Sequence, residues 1–151
     1  MCIRDRTATA LASATGTFVA LLNHDDELHP NALAEVTAAI EAVDEVDVIY
    51  TDEDKIDQTG RHHELPFFKP DWSPERLRCQ MYLGHLLVIR RTLMERAGGF
   101  RPGYDGSLDY DLALRVTEQA RRIPPHPQAL AHSWHAPPTT AGPHHPQPPR
   151  M

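Results

Sequence analysis

The apolar run Thr17 to Leu22 (TFVALL) passes directly into Asn23-His24-Asp25-Asp26-Glu27-Leu28-His29-Pro30. An uninterrupted apolar stretch of strand length is the pattern of a strand buried on both faces. From Pro30 onward, Leu33, Val36, Ile40 and Val43 recur at three- and four-residue spacing. That spacing predicts a helix with Pro30 in its first turn. Asp47 to Thr51 (DVIYT) predicts a second strand. Strand, helix, strand is the unit of a parallel sheet, so the fold class expected is α/β.

The remainder extends this pattern. TDEDKIDQTGRHHELP reads as a charged loop turning at Gly60. Ser73 and Pro74 open a short helix, His85 to Ile89 form a third strand, and RRTLMERAGGF is a short helix closed by Gly98-Gly99. Leu108, Leu112, Val116, Ala120 and Ile123 predict an amphipathic helix, and Gln128 to His132 a last short strand. Residues 7–15 read as the end of a helix stopped by Gly16. Residues 142–151 form a Pro- and His-rich tail expected to be disordered. The opening MCIRDR reads as a translated sequencing-adaptor sequence, so residues 1–6 are set aside and Thr7 is taken as the first informative residue.

Composition excludes several classes. The net charge of -6 gives no electrostatic support to a nucleic-acid partner. Only Cys2 and Cys79 are present, so no disulfide framework is expected. No apolar run approaches the ~18–20 residues of a transmembrane segment. A cytoplasmic setting follows as the expectation, up to the inner face of the membrane. No Walker loop, dinucleotide fingerprint or nucleophile elbow occurs.

Three acidic clusters and one histidine could carry chemistry. Asn23 to Asp26 follow a buried strand, where ligands bind in open α/β sheets, and adjacent aspartates suit a hard dication. The bland alternative is a polar turn capping the next helix. Asp105 to Asp111 (DGSLDYD) start the amphipathic helix. Asp109 there could act as a general base, or with Ser107 as a cap, and Asp111 is read as capping. Asp52, Glu53 and Asp54 read either as a solvated loop or as ligands. His132 is a candidate metal ligand. The pairs His62-His63 and His144-His145 read as solvent-exposed.

Taken in order, LLNHDDELHPNALAEV, VIYTDEDKID, PFFKPDWSPERL, YLGHLLVIRR, AGGFRPGYDGSLDYDLALRVTE and ALAHSWHAPPTTA resemble the inverting nucleotide-sugar glycosyltransferases of the GT-A fold. This is the large family that includes rhamnosyltransferases and other polysaccharide-assembling enzymes. The resemblance covers residues 7–141. It implies a partial GT-A (Rossmann-like) domain, with a mixed, mainly parallel sheet flanked by helices. It also implies that the first strands are missing and that about a third of a domain that usually exceeds ~200 residues is absent. A truncated chain of this kind is expected to be inactive alone.

The resemblance further implies site roles. Asn23, Asp25 and Asp26 match the family's donor-binding turn, with Asp25 the contact to a divalent metal, Mg or Mn. Asp109 matches the general base, and His132 a C-terminal metal ligand. The loop Gly98 to Ser107, including Asp105 and Gly106, would shape the acceptor pocket, with Gly84 and His85 beside it. The partners implied are a nucleotide-sugar donor and a saccharide or lipid-linked acceptor. Asn23 stands where a carboxylate is usual. Two unit charges ~4 Å apart interact by about 4 kcal/mol at an effective dielectric of ~20, so an amide is a poor substitute for a metal-binding carboxylate. It suits a ribose hydroxyl, to which it can both donate and accept. A non-catalytic binding module of the same fold, or a metal-dependent phosphoester hydrolase, are the alternative readings.

Overall fold

The computed structural model describes residues 3–57, 59–104 and 106–134, with side-chain surroundings from residue 7 onward. Helix α1 (Ile3–Ser13) leads into strand β1 (Phe18–Leu21), the short strand β2 (Asp26–Leu28) and helix α2 (Ala32–Ala42). Strand β3 (Val48–Ile56) and strand β4 (His63–Phe67) form a hairpin. Helix α3 (Pro74–Cys79), strand β5 (Leu87–Arg90), helix α4 (Arg91–Arg96), helix α5 (Leu108–Thr117) and strand β6 (Pro125–Trp134) complete the order. The expected disordered tail and Asp105 lie outside the described residues.

The strands form one sheet in the order β1-β5-β3-β6-β2, with β4 added on β3. The α/β class and the mixed sheet hold, but the expected parallel majority does not. Among the strands of the described residues, β3 and β6 pair in parallel and the other four pairings are antiparallel. The strand–helix–strand unit is nonetheless present. β1 and β3 each pair antiparallel with β5, so they run in the same direction with β5 inserted between them. β5 arrives reversed because the chain has already turned back once, at the hairpin that follows Ile56.

That hairpin corrects a second expectation. The acidic stretch Asp52 to Lys55 is not a loop but the second half of β3. Asp57 holds the turn: its Oδ1 accepts from Thr59 N (3.2 Å), Arg61 N (3.1 Å) and His62 N (3.2 Å). The strand is long enough to reach the turn because each acidic side chain in it has a partner, described below.

The sheet alternates in the expected way, sending Val48, Tyr50, Leu87 and Ile89 to one face and Ile49, Leu86 and Val88 to the other. On the first face Leu77, Leu93, Met94, Leu112 and Val116 pack from α3, α4 and α5. On the second, Ala32 and Val36 pack from α2. Leu33, expected inside, is 70% exposed. The helix begins at Ala32, with Pro30 before the cap residue Asn31, and Ala32 rather than Leu33 meets the sheet. Helix α3 starts as expected: Ser73 Oγ accepts from Arg76 N at 3.3 Å, with Pro74 in the first turn. Tyr50 and Tyr82, both fully buried, satisfy their hydroxyls: Tyr50 donates to Pro70 O (2.7 Å), and Tyr82 accepts from Ser73 N (3.0 Å).

Candidate functional site

The turn after β1 separates its two aspartates. Asp25 stays at the surface, with its side chain 64% exposed and His24 Nδ1 3.7 Å from its carboxylate. Asp26 is the first residue of β2, and its side chain is 2% exposed. Its Oδ2 takes the Asn23 backbone N–H at 3.2 Å and lies 2.5 Å from His85 Nδ1. The Asn23 side-chain amide nitrogen is 3.3 Å from the same ring nitrogen. The short β2 is held by β6, where Asp26 is in register with Ser133.

His85 is placed by a second layer of charge. Gly84, at φ +47, brings the backbone close to Glu53, whose Oε2 accepts from His85 N at 3.0 Å. The same oxygen is 2.8 Å from Lys69 Nζ. Lys69 is almost wholly buried and also donates to Leu83 O at 2.7 Å. Burial pulls the Lys69 ammonium below its usual range, and the Glu53 carboxylate works against that shift. Asp52 is also engaged, accepting from Lys69 N at 2.7 Å. The Phe67 to Trp72 segment is therefore a strut: Phe67 and Trp72 pack against the core, and Lys69 locks the strut to β3.

A cleft of about 810 Å³ opens between β1, the Met81 to His85 loop and the start of α5. Asn23, Gly84, His85, Gly106 and Asp109 all line it, with an apolar floor that includes Leu21, Leu87, Met94, Phe100 and Leu108. Five residues singled out from the sequence thus share one cavity, drawn from three separate stretches of chain. Tyr82 and Leu83 do not face it; both are fully buried in the core.

At the start of α5 the two aspartates divide as well. Asp109 is exposed in the cleft, and its Oδ1 accepts from Tyr110 N at 2.9 Å. Asp111, read from the sequence as a cap, instead binds Arg101 and Arg115, whose guanidinium donates to it at 2.6 Å. The hydrogen bond from Arg101 holds the Asp111 carboxyl below the usual range, with burial opposing and Arg115 assisting. Arg115 also donates to Ala97 O and Gly99 O. Asp111 therefore fastens the glycine loop that precedes the cleft. Ser107 occupies the cap position of α5 but makes no side-chain cap bond.

His132 is not beside Asp25. Its Nδ1 lies 2.5 Å from Asp54 Oδ1, and His63 Nδ1 is 2.9 Å from Asp54 Oδ2. The sequence reading missed His63, which opens β4 rather than sitting in a loop. The signal available was the spacing of Asp52 to Ile56 and His63 to Phe67 about Gly60, which reads as two strands and a turn. His132 thus joins Asp54 and His63 rather than Asp25, and Asp25 is the aspartate of the turn after β1 whose carboxylate stays open to solvent. That suits a hard ion such as magnesium, which typically takes one or two carboxylates and fills its shell with phosphate oxygens and water.

Residues 7–98 match the family Glycosyl transferase family 2. The chain is 46% identical over 117 residues to the O-antigen biosynthesis protein RfbC of Myxococcus xanthus, covering 78% of this chain and 9% of that protein. It is 42% identical over 135 residues to the uncharacterized protein y4gI of Sinorhizobium fredii, covering 88% of this chain and 15% of that one. The chain thus spans a small part of the length of these relatives. Among solved structures, S. aureus TarS residues 1–349 superpose with a TM-score of 0.65 at 20% identity, over 83% of this chain and 38% of that one. The same protein solved in complex with UDP-GlcNAc also gives a TM-score of 0.65. The fold is that of these GT-A, Rossmann-like structures. Among the described residues, no helix is long and apolar enough to cross a membrane.

Proposed function

The chain belongs to glycosyl transferase family 2, and from that premise we propose that it carries the donor turn and acceptor side of a nucleotide-sugar glycosyltransferase acting with inversion. The observation that carries this reading is the shared cleft of Asn23, Gly84, His85, Gly106 and Asp109. The TarS complex with UDP-GlcNAc supports a nucleotide-sugar donor, and the similarity to an O-antigen biosynthesis protein supports a saccharide or lipid-linked acceptor.

In this mechanism Asp109 accepts the proton of the acceptor hydroxyl as that oxygen attacks the anomeric carbon from the face opposite the diphosphate. Its exposure in the cleft leaves one carboxylate edge free for the hydroxyl. Gly106 and the loop fastened by Asp111 and Arg115 leave room for the acceptor ring. Asn23, with its amide nitrogen towards His85, keeps its amide oxygen for a ribose hydroxyl. His85, oriented by Asp26, lines the cleft beside Asn23. Asp25 would hold a divalent cation, which when bound neutralises charge on the leaving diphosphate.

The test is sugar transfer from a panel of nucleotide sugars, using the polypeptide that carries this segment within a whole transferase domain. Asp109→Asn should lower kcat by roughly 10²–10⁴-fold while donor binding stays within a few-fold. Unchanged transfer by Asp109→Asn would remove it as the base. Donor binding without any transfer would favour a non-catalytic module instead. Release of phosphate with no dependence on acceptor would favour a hydrolase.

A further inference from the structure

We propose that Asp54, His63 and His132 form a binding site for a zinc-class dication, separate from the donor turn. Three strands each contribute one ligand: β3 supplies Asp54, β4 supplies His63 and β6 supplies His132. One ligand atom from each lies within 4.8 Å of the other two. Both imidazoles turn Nδ1 towards the same carboxylate, one to each oxygen, at 2.5 and 2.9 Å. The two rings meet edge to face with centroids 4.6 Å apart.

The position is built rather than incidental. Asp54 and His132 are direct partners in the parallel β3–β6 ladder, and His63 is the register partner of Ile56 in the β3–β4 hairpin. All three ligands therefore stand on hydrogen-bonded strands, which hold side chains more closely than loops do. His132 and Asp54 are largely covered, whereas the His63 side chain is 51% exposed. A cation can enter on the His63 side, and that side leaves room for a water as a fourth ligand.

The donor set selects the ion. Two imidazole nitrogens and one carboxylate suit zinc and other borderline transition dications, whereas magnesium prefers oxygen alone. Each ring must bind in its neutral form, through the Nδ1 that faces Asp54 and with its single proton on Nε2. The cluster is also separate from the cleft. Glu27 is the register partner of His132, and the next pair is Asp26 with Ser133. Successive strand residues point to opposite faces, so His132 and Asp26 project on opposite sides of the sheet. The site needs no donor and no acceptor, and it stands or falls independently of the transferase reading.

The experiment is zinc titration of the 151-residue chain carrying His144→Ala and His145→Ala, which remove the histidine pair of the tail. Bound zinc is read by equilibrium dialysis and stability by thermal unfolding. The expected result is one equivalent of zinc and a higher Tm with metal. His63→Ala and Asp54→Asn should each weaken binding more than tenfold, and His62→Ala should leave it unchanged. Because His63 is exposed, its substitution should keep the metal-free Tm, which separates lost ligation from lost folding. Zinc binding as tight in His63→Ala and Asp54→Asn as in the parent would overturn the proposal. So would a loss of all binding on removing His144 and His145.

Discussion

The Asp26 carboxylate and the His85 imidazole meet at 2.5 Å across 59 positions of sequence, one at the start of β2 and the other in the loop before β5. This contact divides the labour of two adjacent aspartates. Asp26 is enclosed and engaged with protein, while Asp25 is left to solvent and to whatever binds at the turn.

Substitutions at the two positions should therefore separate cleanly. Asp26→Ala removes a buried acceptor from His85 and from the Asn23 N–H, which should cost about 1–3 kcal/mol of stability. Asp25→Ala should change stability by no more than ~0.5 kcal/mol. Within the proposed transferase, Asp25→Ala should instead raise the concentration of divalent cation needed for transfer. Urea denaturation of both variants, with a metal titration of activity, tests the division; equal stability losses would contradict it.

Gly84 is needed for two reasons that can be told apart. A side chain there would overlap Glu53 Oε2, which cannot swing away without leaving Lys69 and His85 N. It would also have to adopt φ +47. Gly103 has a positive φ of +88 but nothing within 4 Å of the added atom. Gly84→Ala should lose about 2–3 kcal/mol and Gly103→Ala only about 1 kcal/mol. Chemical denaturation of the pair measures the difference, and equal losses would rule out the clash with Glu53.

Asp47 predicts the acid limb of the stability curve. Its carboxylate is fully buried and takes Arg121 Nε and N at 2.9 and 3.0 Å and Arg90 Nε at 2.8 Å. The hydrogen bonds of Arg121 lead in holding its pKa at about 2, against the cost of burial. A depressed carboxyl pKa stabilises the fold above the unfolded value of 3.8 and loses that contribution as the pH falls through about 2. The contribution is about 2 kcal/mol, fading from near pH 4 to near pH 2. Asp47→Asn should be less stable at pH 7 and should show a shallower decline across that window in acid titrations followed by fluorescence. A decline as steep as that of the parent would assign acid sensitivity to other carboxylates.

Leu65 is the residue of β4 that the hairpin strains. It sits at φ 49 where the β3–β4 register shifts, and its side chain is 59% exposed. A left-handed leucine costs roughly 1–2 kcal/mol, and asparagine tolerates that conformation better. Leu65→Asn should raise stability by about 0.5–1 kcal/mol in thermal or urea unfolding. A loss of stability would mean that the exposed leucine makes apolar contacts that outweigh the strain.

The elements legible from the residues were those whose pattern is local. The run Phe18 to Leu21, the Ser73-Pro74 helix start and the apolar spacing of α5 each settle their own secondary structure. The second half of β3 was not legible because its residues are acidic, and their strand conformation depends on partners far along the chain. Asp52 and Glu53 find Lys69, and Asp54 finds His63 and His132. The antiparallel entry of β5 was hidden for the same reason, since apolar pattern carries no direction. For the site, the motifs quoted from the sequence include Asn23, Gly84, His85, Gly106 and Asp109, which line one cleft. What holds the engaged aspartates, Asp26 and Asp111, could not be read, because it depends on His85, Arg101 and Arg115 arriving from elsewhere in the chain.

The pairing of β2 with β6 has a consequence for the birth of the protein. The turn bearing Asn23 and Asp25 is made well before the strand that holds Asp26 in place, β6, the last of the described elements in chain order. A ribosome-bound chain lacking residues 125–134 would carry every group of that turn without the rail that aligns it. Competence at the cleft should therefore appear abruptly, when translation passes β6, and not grow with chain length.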